Sequence, residues 1–412
     1  MIRALPAALV LWIAGCAAPP QATAPVCPAC PVCTVCAPAP TAPVEKDEPL
    51  DLEPAAARTA PAARGKLERV AWDSVPQWGS DSPKEALAAF QRGCTVLSTQ
   101  VEWKDVCQWS VPLGSGASDA EIARFFREAF DPWRVVNLDG TDTGLLTGYY
   151  EPLLAGSRVP TRTYKYPIYR APSDLIAIDL GEVYADLKFR RLRGRLVDNK
   201  LVPYFDRAEI DGAKRPLRGL EIVWVDDPVE LHYLQIQGSG QIALPDGTRL
   251  RVGYAEQNGH PFRSVAGLLI RRGEIKAHNA SLAGIRDWAR RNPKKAQRYL
   301  DANPSYVFFK ELPLELPGPI GTQGVPLTAE RSIAIDPRVI PLGVPLYLST
   351  THPTTREPLN RLMVAQDTGG AIAGAVRGDF YWGTGDSAGQ EAGRTKQPVR
   401  MWVLLPKGME VK

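Results

Sequence analysis

The 412 residues are 44% hydrophobic and 23% charged, with 49 basic against 45 acidic side chains and a net charge of +4. That length supports two or three domains with a sizeable core. The balanced charge, with no Lys/Arg stripe interleaved with aromatics, excludes a nucleic-acid binder, and the lack of any later apolar run near the ~18 residues of a bilayer span excludes a multi-pass membrane protein.

Met1-Ile2-Arg3 and the apolar stretch Ala4 to Ala14 predict an export signal over 1–15, too short to span a membrane. Ile13-Ala14-Gly15-Cys16 resembles the bacterial lipobox, which implies cleavage and acylation of Cys16. Ala17, standing where an aspartate would retain the protein at the inner membrane, implies the outer membrane and a periplasmic location. Several acyl chains are needed for stable anchoring, since one binds only marginally. Residues 16–65 are rich in proline and alanine and carry no aromatic side chain, so they are expected to form a disordered tether. Its reach lies between ~40 Å as a coil and ~150 Å as a polyproline-like extension. Cys27, Cys30, Cys33 and Cys36 in this tether have spacing that fits zinc or an iron–sulfur cluster. A proline-rich exported segment offers no folded surroundings to hold such ligands, so disulfides or cross-links are expected there, and no metal or cofactor. Export also favours a disulfide between Cys94 and Cys107.

Two helices open the folded part, each behind a predicted capping box: Ser82-Pro83-Lys84-Glu85 and Ser118-Asp119-Ala120-Glu121. Ile122, Phe125, Phe126 and Ala129 continue the second as a core-facing stripe. Further helices are expected over Ser264–Arg272, Ser281–Arg291 and Pro293–Leu300. Strands are expected over Leu145–Leu153, Glu221–Val225, Leu231–Gln237, Leu250–Tyr254, Ser332–Ile335, Val344–Leu348, Leu362–Gln366 and Val399–Leu405. Short strands between Gly/Pro turns predict a mainly β architecture of barrels with flanking helices.

The last hundred residues carry the chemistry. Four scattered histidines lack metal-ligand spacing, and no GxSxG, HExxH or phosphate-cradling loop is present. Asp336, Gln366-Asp367-Thr368-Gly369-Gly370-Ala371-Ile372 and Gly378-Asp379-Phe380-Tyr381-Trp382-Gly383 place carboxylates among turn-forming glycines, as an open cleft requires. Aromatics beside Asp379 suit stacking on sugar faces, and an apolar pocket raises a carboxyl pKa toward that of a general acid. A lone Asp367-Thr368-Gly369 also matches the aspartic-protease signature, but one copy followed by Gly370 does not make that enzyme.

These aspartates resemble the three-aspartate "3D" domain, a double-psi β-barrel. Leu146-Thr147-Gly148-Tyr149-Tyr150-Glu151-Pro152 resembles the MltA family of membrane-bound lytic murein transglycosylases. Gln235-Ile236-Gln237-Gly238-Ser239-Gly240, Gly253-Tyr254 with Asn258-Gly259-His260-Pro261-Phe262-Arg263-Ser264, and Asn303-Pro304-Ser305-Tyr306-Val307-Phe308-Phe309 extend the likeness. The resemblance implies a double-psi barrel domain from 66–164 and 314–412, an inserted β-rich domain at 165–313, and a glycan groove between them. It also implies that Asp379 is the single catalytic acid and then base, with Asp367 and Asp336 in support. The substrate would be peptidoglycan glycan strands, with murein synthases or scaffold proteins as restraining partners. Asp367 and Asp336 are equally good turn formers, and a structural role is favoured for both.

Tyr149, Tyr150 and Glu151 are candidates to line the groove, although one tyrosine must face the core because neighbours on a strand point to opposite sides. Phe380 and Tyr381 are candidate stacking residues. Gln237, Ser239 and Gly240 read equally as glycan contacts and as a strand ending in a glycine-rich turn. Asn258, with His260, reads equally as a substrate contact and as a buried polar network. Two alternatives stand beside the transglycosylase: a two-carboxylate hydrolase using Asp379 with Asp386 or Asp367, and a wall-binding lipoprotein without activity.

Overall fold

The computed structural model describes residues 65–410 apart from 115, 185–186, 188–189 and 191. The predicted signal, Cys16 and residues 17–64 of the tether with its four cysteines lie outside the described residues, and Gly65, expected to end the tether, opens β1. The chain starts with β1 (Gly65–Arg69), α1 (Lys84–Leu97), α2 (Val101–Ser110), α3 (Asp119–Ala129), β2 (Phe130–Asn137) and β3 (Gly144–Glu151). Next come β4 (Leu153–Ser157), β5 (Tyr166–Tyr169), β6 (Ile176–Ile178), β7 (Leu192–Val197), β8 (Lys200–Pro203), α4 (Arg207–Asp211) and β9 (Glu221–Val225). They lead into α5 (Pro228–Gln237), β10 (Ser239–Ala243), β11 (Arg249–Gln257), α6 (Val265–Arg271), α7 (Leu282–Arg291), α8 (Pro293–Asp301) and β12 (Val307–Leu312). The last elements are β13 (Ser332–Ile335), β14 (Pro345–Thr351), β15 (Pro358–Thr368), β16 (Arg377–Thr384), α9 (Gly385–Arg394) and β17 (Lys396–Pro406).

Strands β17-β14-β15-β13-β16-β3 form a six-stranded barrel that closes where β3 pairs with β17, and β2 and β1 extend it outward. Two of its pairings, β13–β15 and β16–β3, are parallel. All four residues of β13 are buried, as expected for a strand covered on both faces. Phe90, Trp103, Phe125, Phe126 and Phe130 pack helices α1–α3 onto the barrel, with Phe126 stacked on Phe130. A second sheet runs β12-β11-β10-β4-β9-β5, and a bridge between Arg170 and Phe309 closes its ends. The chain changes sheets at Pro152, well before the expected 165, because β4 pairs with both β10 and β9. It returns to the first barrel after β12. A separate three-stranded sheet comprises β6, β7 and β8.

Two local expectations are corrected. Leu231–Gln237 is helical and belongs to α5: Asp227 accepts from the Val229 and Glu230 amides, Pro228 fits the first turn, and Gly238 at φ 81° ends the helix. The capping box at Ser118 forms with both hydrogen bonds, but the one at Ser82 does not. Pro83 occupies the cap position there, and Ser82 instead donates to Asp119 Oδ1 at 3.1 Å. Helices α2 and α9 had no sequence signal, since neither begins with a side-chain cap.

A disulfide joins Cys94 of α1 to Cys107 of α2 across 13 residues. Closing so short a loop removes unfolded-state entropy worth about 3 kcal/mol. Replacing both cysteines with alanine should therefore lower the urea midpoint by a corresponding amount while leaving the native far-ultraviolet dichroism unchanged. A variant as stable as the parent would mean that the bridge contributes nothing.

Candidate active site

Parallel pairing of β16 with β3 sets Asp379 opposite Thr147, and antiparallel pairing with β13 sets it opposite Ala334. The Thr147 hydroxyl donates to Asp379 Oδ1 at 2.5 Å and accepts from Arg377 Nη2 at 2.8 Å. The guanidinium thus reaches the carboxylate through a hydroxyl, and among the described residues Asp379 has no ion-pair partner. Asp379 is partly buried. Burial is the largest influence on it and raises its pKa to about 6, helped by the charge of Asp367 and opposed by the Thr147 bond and the Arg377 charge.

Asp367 is fully engaged. It accepts from the Thr322 amide and hydroxyl at 3.0 and 2.9 Å, the Thr368 amide at 2.9 Å and the Tyr149 hydroxyl at 3.0 Å. Burial still pushes its pKa up against these donors. Asp336 accepts from Arg338 Nε at 2.7 Å and from the Gly374 amide at 2.8 Å. Burial pushes Asp336 upward, but these donors outweigh it and hold its pKa below the usual value. Gly374 has φ 125°, a conformation that favours glycine, so Asp336 ties down a special turn before β16.

Tyr149 shares the face of β3 that carries Thr147 and packs 5.2 Å from the Tyr381 ring. Burial and the nearby Asp367 and Asp379 charges push its phenol well above the ordinary range, so it remains a donor. Tyr150 points the other way: its amide donates to Gln237 Oε1 at 3.1 Å and its ring rests on Gly389 of α9. A Cβ at position 389 would come within 2.8 Å of that ring.

Several predicted ligand contacts are corrected. Glu151 has no exposed surface: Arg251 Nε lies at 2.8 Å, Gln241 donates at 3.1 Å and the Thr384 hydroxyl at 2.7 Å. It fastens the two barrels together and cannot reach a sugar. Phe380 and Tyr381 are also buried, because β16 is covered on both faces, so neither offers a stacking surface. Phe380 packs 4.5 Å from Trp382, whereas Tyr381 joins Tyr149, Leu327, Ala334 and Ile372 in an apolar patch. That patch is on the Asp379 face of β16, since alternate residues share a face. Asn258 is buried and all its capacity is used, donating to the Phe205 and Pro304 carbonyls and accepting from the Tyr306 and His260 amides. Gly240 is a packing glycine, whose Cβ would meet Leu234 at 2.4 Å. Ser239 is partly exposed. Asp386 is exposed in the first turn of α9, where its charge acts on Tyr150.

Thr147 and Arg377 were not singled out in the sequence. Arg377 was legible, being two residues before Asp379 and on the same strand face, whereas Thr147 requires a pairing across 232 residues.

The class defined by fold and aspartate cluster is a 3D-domain barrel interrupted by a second barrel. Family models agree: the MltA specific insert domain matches residues 145–310 and the 3D domain matches 331–405. The chain is 32% identical over 300 residues to membrane-bound lytic murein transglycosylase A of Escherichia coli K12, covering 71% of this chain and 73% of that protein. It superposes with a TM-score of 0.74 on the MltA structure from Neisseria gonorrhoeae, at 36% identity, covering 85% of this chain and 96% of that one. An Escherichia coli MltA structure with bound chitohexaose matches at 26% identity and a TM-score of 0.62, covering 84% and 99% of the two chains. This chain belongs to the membrane-bound lytic murein transglycosylase A family.

Thr147→Val removes the hydroxyl that favours the Asp379 carboxylate while keeping the side-chain shape. The acidic group governing kcat/KM should then titrate at a pH above about 6, and Thr147→Ser should restore it. An unmoved pH profile in Thr147→Val would remove Thr147 from the control of Asp379.

Proposed function

We propose that this chain cleaves the bond between N-acetylmuramic acid and N-acetylglucosamine in peptidoglycan without water, and that Asp379 carries both proton transfers. Protonated Asp379 donates to the glycosidic oxygen as the C1–O bond breaks, leaving oxocarbenium character at C1. The new carboxylate then removes the proton from the C6 hydroxyl of the same muramic residue. That oxygen bonds to C1, closes the 1,6-anhydro ring and returns Asp379 to its protonated form. The carrying observation is a carboxyl held near pH 6 with no ion-pair partner among the described residues. About one molecule in ten keeps this proton at pH 7, and most do below pH 5.

A two-carboxylate hydrolase needs a second free carboxylate across the sugar. Asp367 and Asp336 are engaged by backbone and side-chain donors, and Asp386 is exposed in the first turn of α9, outside the apolar patch beside Asp379. These commitments support the single-carboxyl reading. In this reading glycan runs along the junction of the two barrels, near Ser239, with the barrel domain on either side of an insert spanning 153–312. Acylated Cys16 and the tether of residues 16–64 hold the enzyme at the outer membrane facing the periplasm.

Asp379→Asn tests the proposal. Turnover of murein should fall by at least ~10³-fold, and the parent's product should be one water lighter than a reducing-end sugar. The variant should fold at least as well. The folded-state pKa lies above the unfolded value, so ionisation opposes folding increasingly as pH rises from about 4 through about 6. Removing that charge should therefore add stability of about 3 kcal/mol at pH 7, seen by thermal unfolding. Retained turnover, or a hydrated product, would overturn the mechanism.

A further inference from the structure

Residues 265–298 hold nine Lys and Arg side chains against two acidic ones, an excess larger than the net +4 of the entire chain. This charge lies on α6, α7, α8 and their connections. Part of it is spent internally: Arg286 pairs with Asp227 at 3.1 Å and with Glu230 at 2.5 Å, and Lys295 with Glu274 at 3.4 Å. Arg271, Arg272, Lys276, Arg291 and Lys294 are exposed and have no ion-pair partner among the described residues.

Two of these, Lys276 and Arg291, line a cleft of about 460 Å³ between the end of α6 and α7, together with His278, Asn279, Glu274 and Asp287. The Glu274 carboxylate is engaged by the helices, where Trp288 Nε1 donates at 3.1 Å and the Tyr299 hydroxyl at 3.0 Å. Asp287 is exposed and shared with Arg290 at 3.9 Å. With Glu274 paired to Lys295 at 3.4 Å and Asp287 to Arg290, the cleft keeps Lys276 and Arg291 without a counter-charge among the described residues, which suits carboxylates.

A relay of contacts links these helices to the strand that carries Thr147. Arg286 of α7 clamps the start of α5, whose last residue, Gln237, accepts the Tyr150 amide of β3. The same Glu230 and Arg286 charges are felt at Tyr150, next to Tyr149 on the strand that carries Thr147. The cationic helices are thus fastened to the site strand. Murein is a glycan whose peptide stems carry free carboxylates along its length.

We propose that the cleft between α6 and α7 binds the carboxylates of murein peptide stems, holding a strand while its glycan is cut at the Asp379 site. This rests on murein being the substrate, and the test separates the two claims. The full chain and its K276E/R291E variant are compared by pelleting with intact sacculi, with glycan stripped of peptides, and with phosphatidylglycerol vesicles. Two lost charge-assisted contacts should weaken sacculus binding about tenfold at low salt. The difference should shrink at high salt as screening grows. K276Q/R291Q should fall between parent and reversal. Cleavage of stripped glycan should be unchanged, which reports the catalytic reading on its own. Equal loss on stripped glycan, or unaltered sacculus binding, would overturn the proposal. A loss confined to the vesicles would assign the cleft to anionic lipid instead.

Discussion

The parallel register between β16 and β3 is the constraint from which the site follows. It brings Thr147 against Asp379 and, on the same face, Tyr149 beside Tyr381. The donor hydroxyl stabilises the carboxylate, while burial in the patch around Tyr149 and Tyr381 destabilises it. Burial, helped by the Asp367 charge, outweighs the Thr147 bond and the Arg377 charge and raises the group to about 6. A carboxyl that first gives and then takes a proton gains from this balance. A direct Arg377 ion pair would keep it ionised, and complete isolation would make it a poor base.

A second constraint holds the two barrels in one arrangement. The Glu151–Arg251 pair is almost completely buried, and Thr384 and Gln241 also donate to Glu151. Such pairs add little net stability, but removing one partner strands a charge at a cost of about 3–5 kcal/mol. Its value here is geometric: Glu151 ends β3, Thr384 ends β16 and Arg251 lies on β11, so one cluster fixes both site strands against the second sheet. Arg251 also donates to the Leu316 carbonyl at 2.7 Å, which secures the chain as it returns to the first barrel.

Much of this was legible in the sequence, for local reasons. The Ser118 capping box and the aspartates among turn-forming glycines were visible because each is a short-range pattern. The strand expected at Leu231–Gln237 failed because apolar residues there serve a buried helix, and the decisive signals, Asp227, Pro228 and Gly238, sit at its ends. Phe380 and Tyr381 were misassigned because position beside an aspartate says nothing about burial in a closed barrel. Glu151 was misassigned because its partner Arg251 lies far along the chain, and for Asn258 the buried-network reading is the one the contacts with Phe205 and Pro304 favour.

Burial raises the Asp379 carboxyl above the ordinary range. Titrating that one group in the resting protein checks this, using infrared difference spectra in which the Asp379→Asn variant supplies the blank. A protonated-carboxyl band that disappears with a midpoint at about pH 6 is the predicted result. A midpoint near pH 4 or lower would show an ordinary carboxylate and contradict the account.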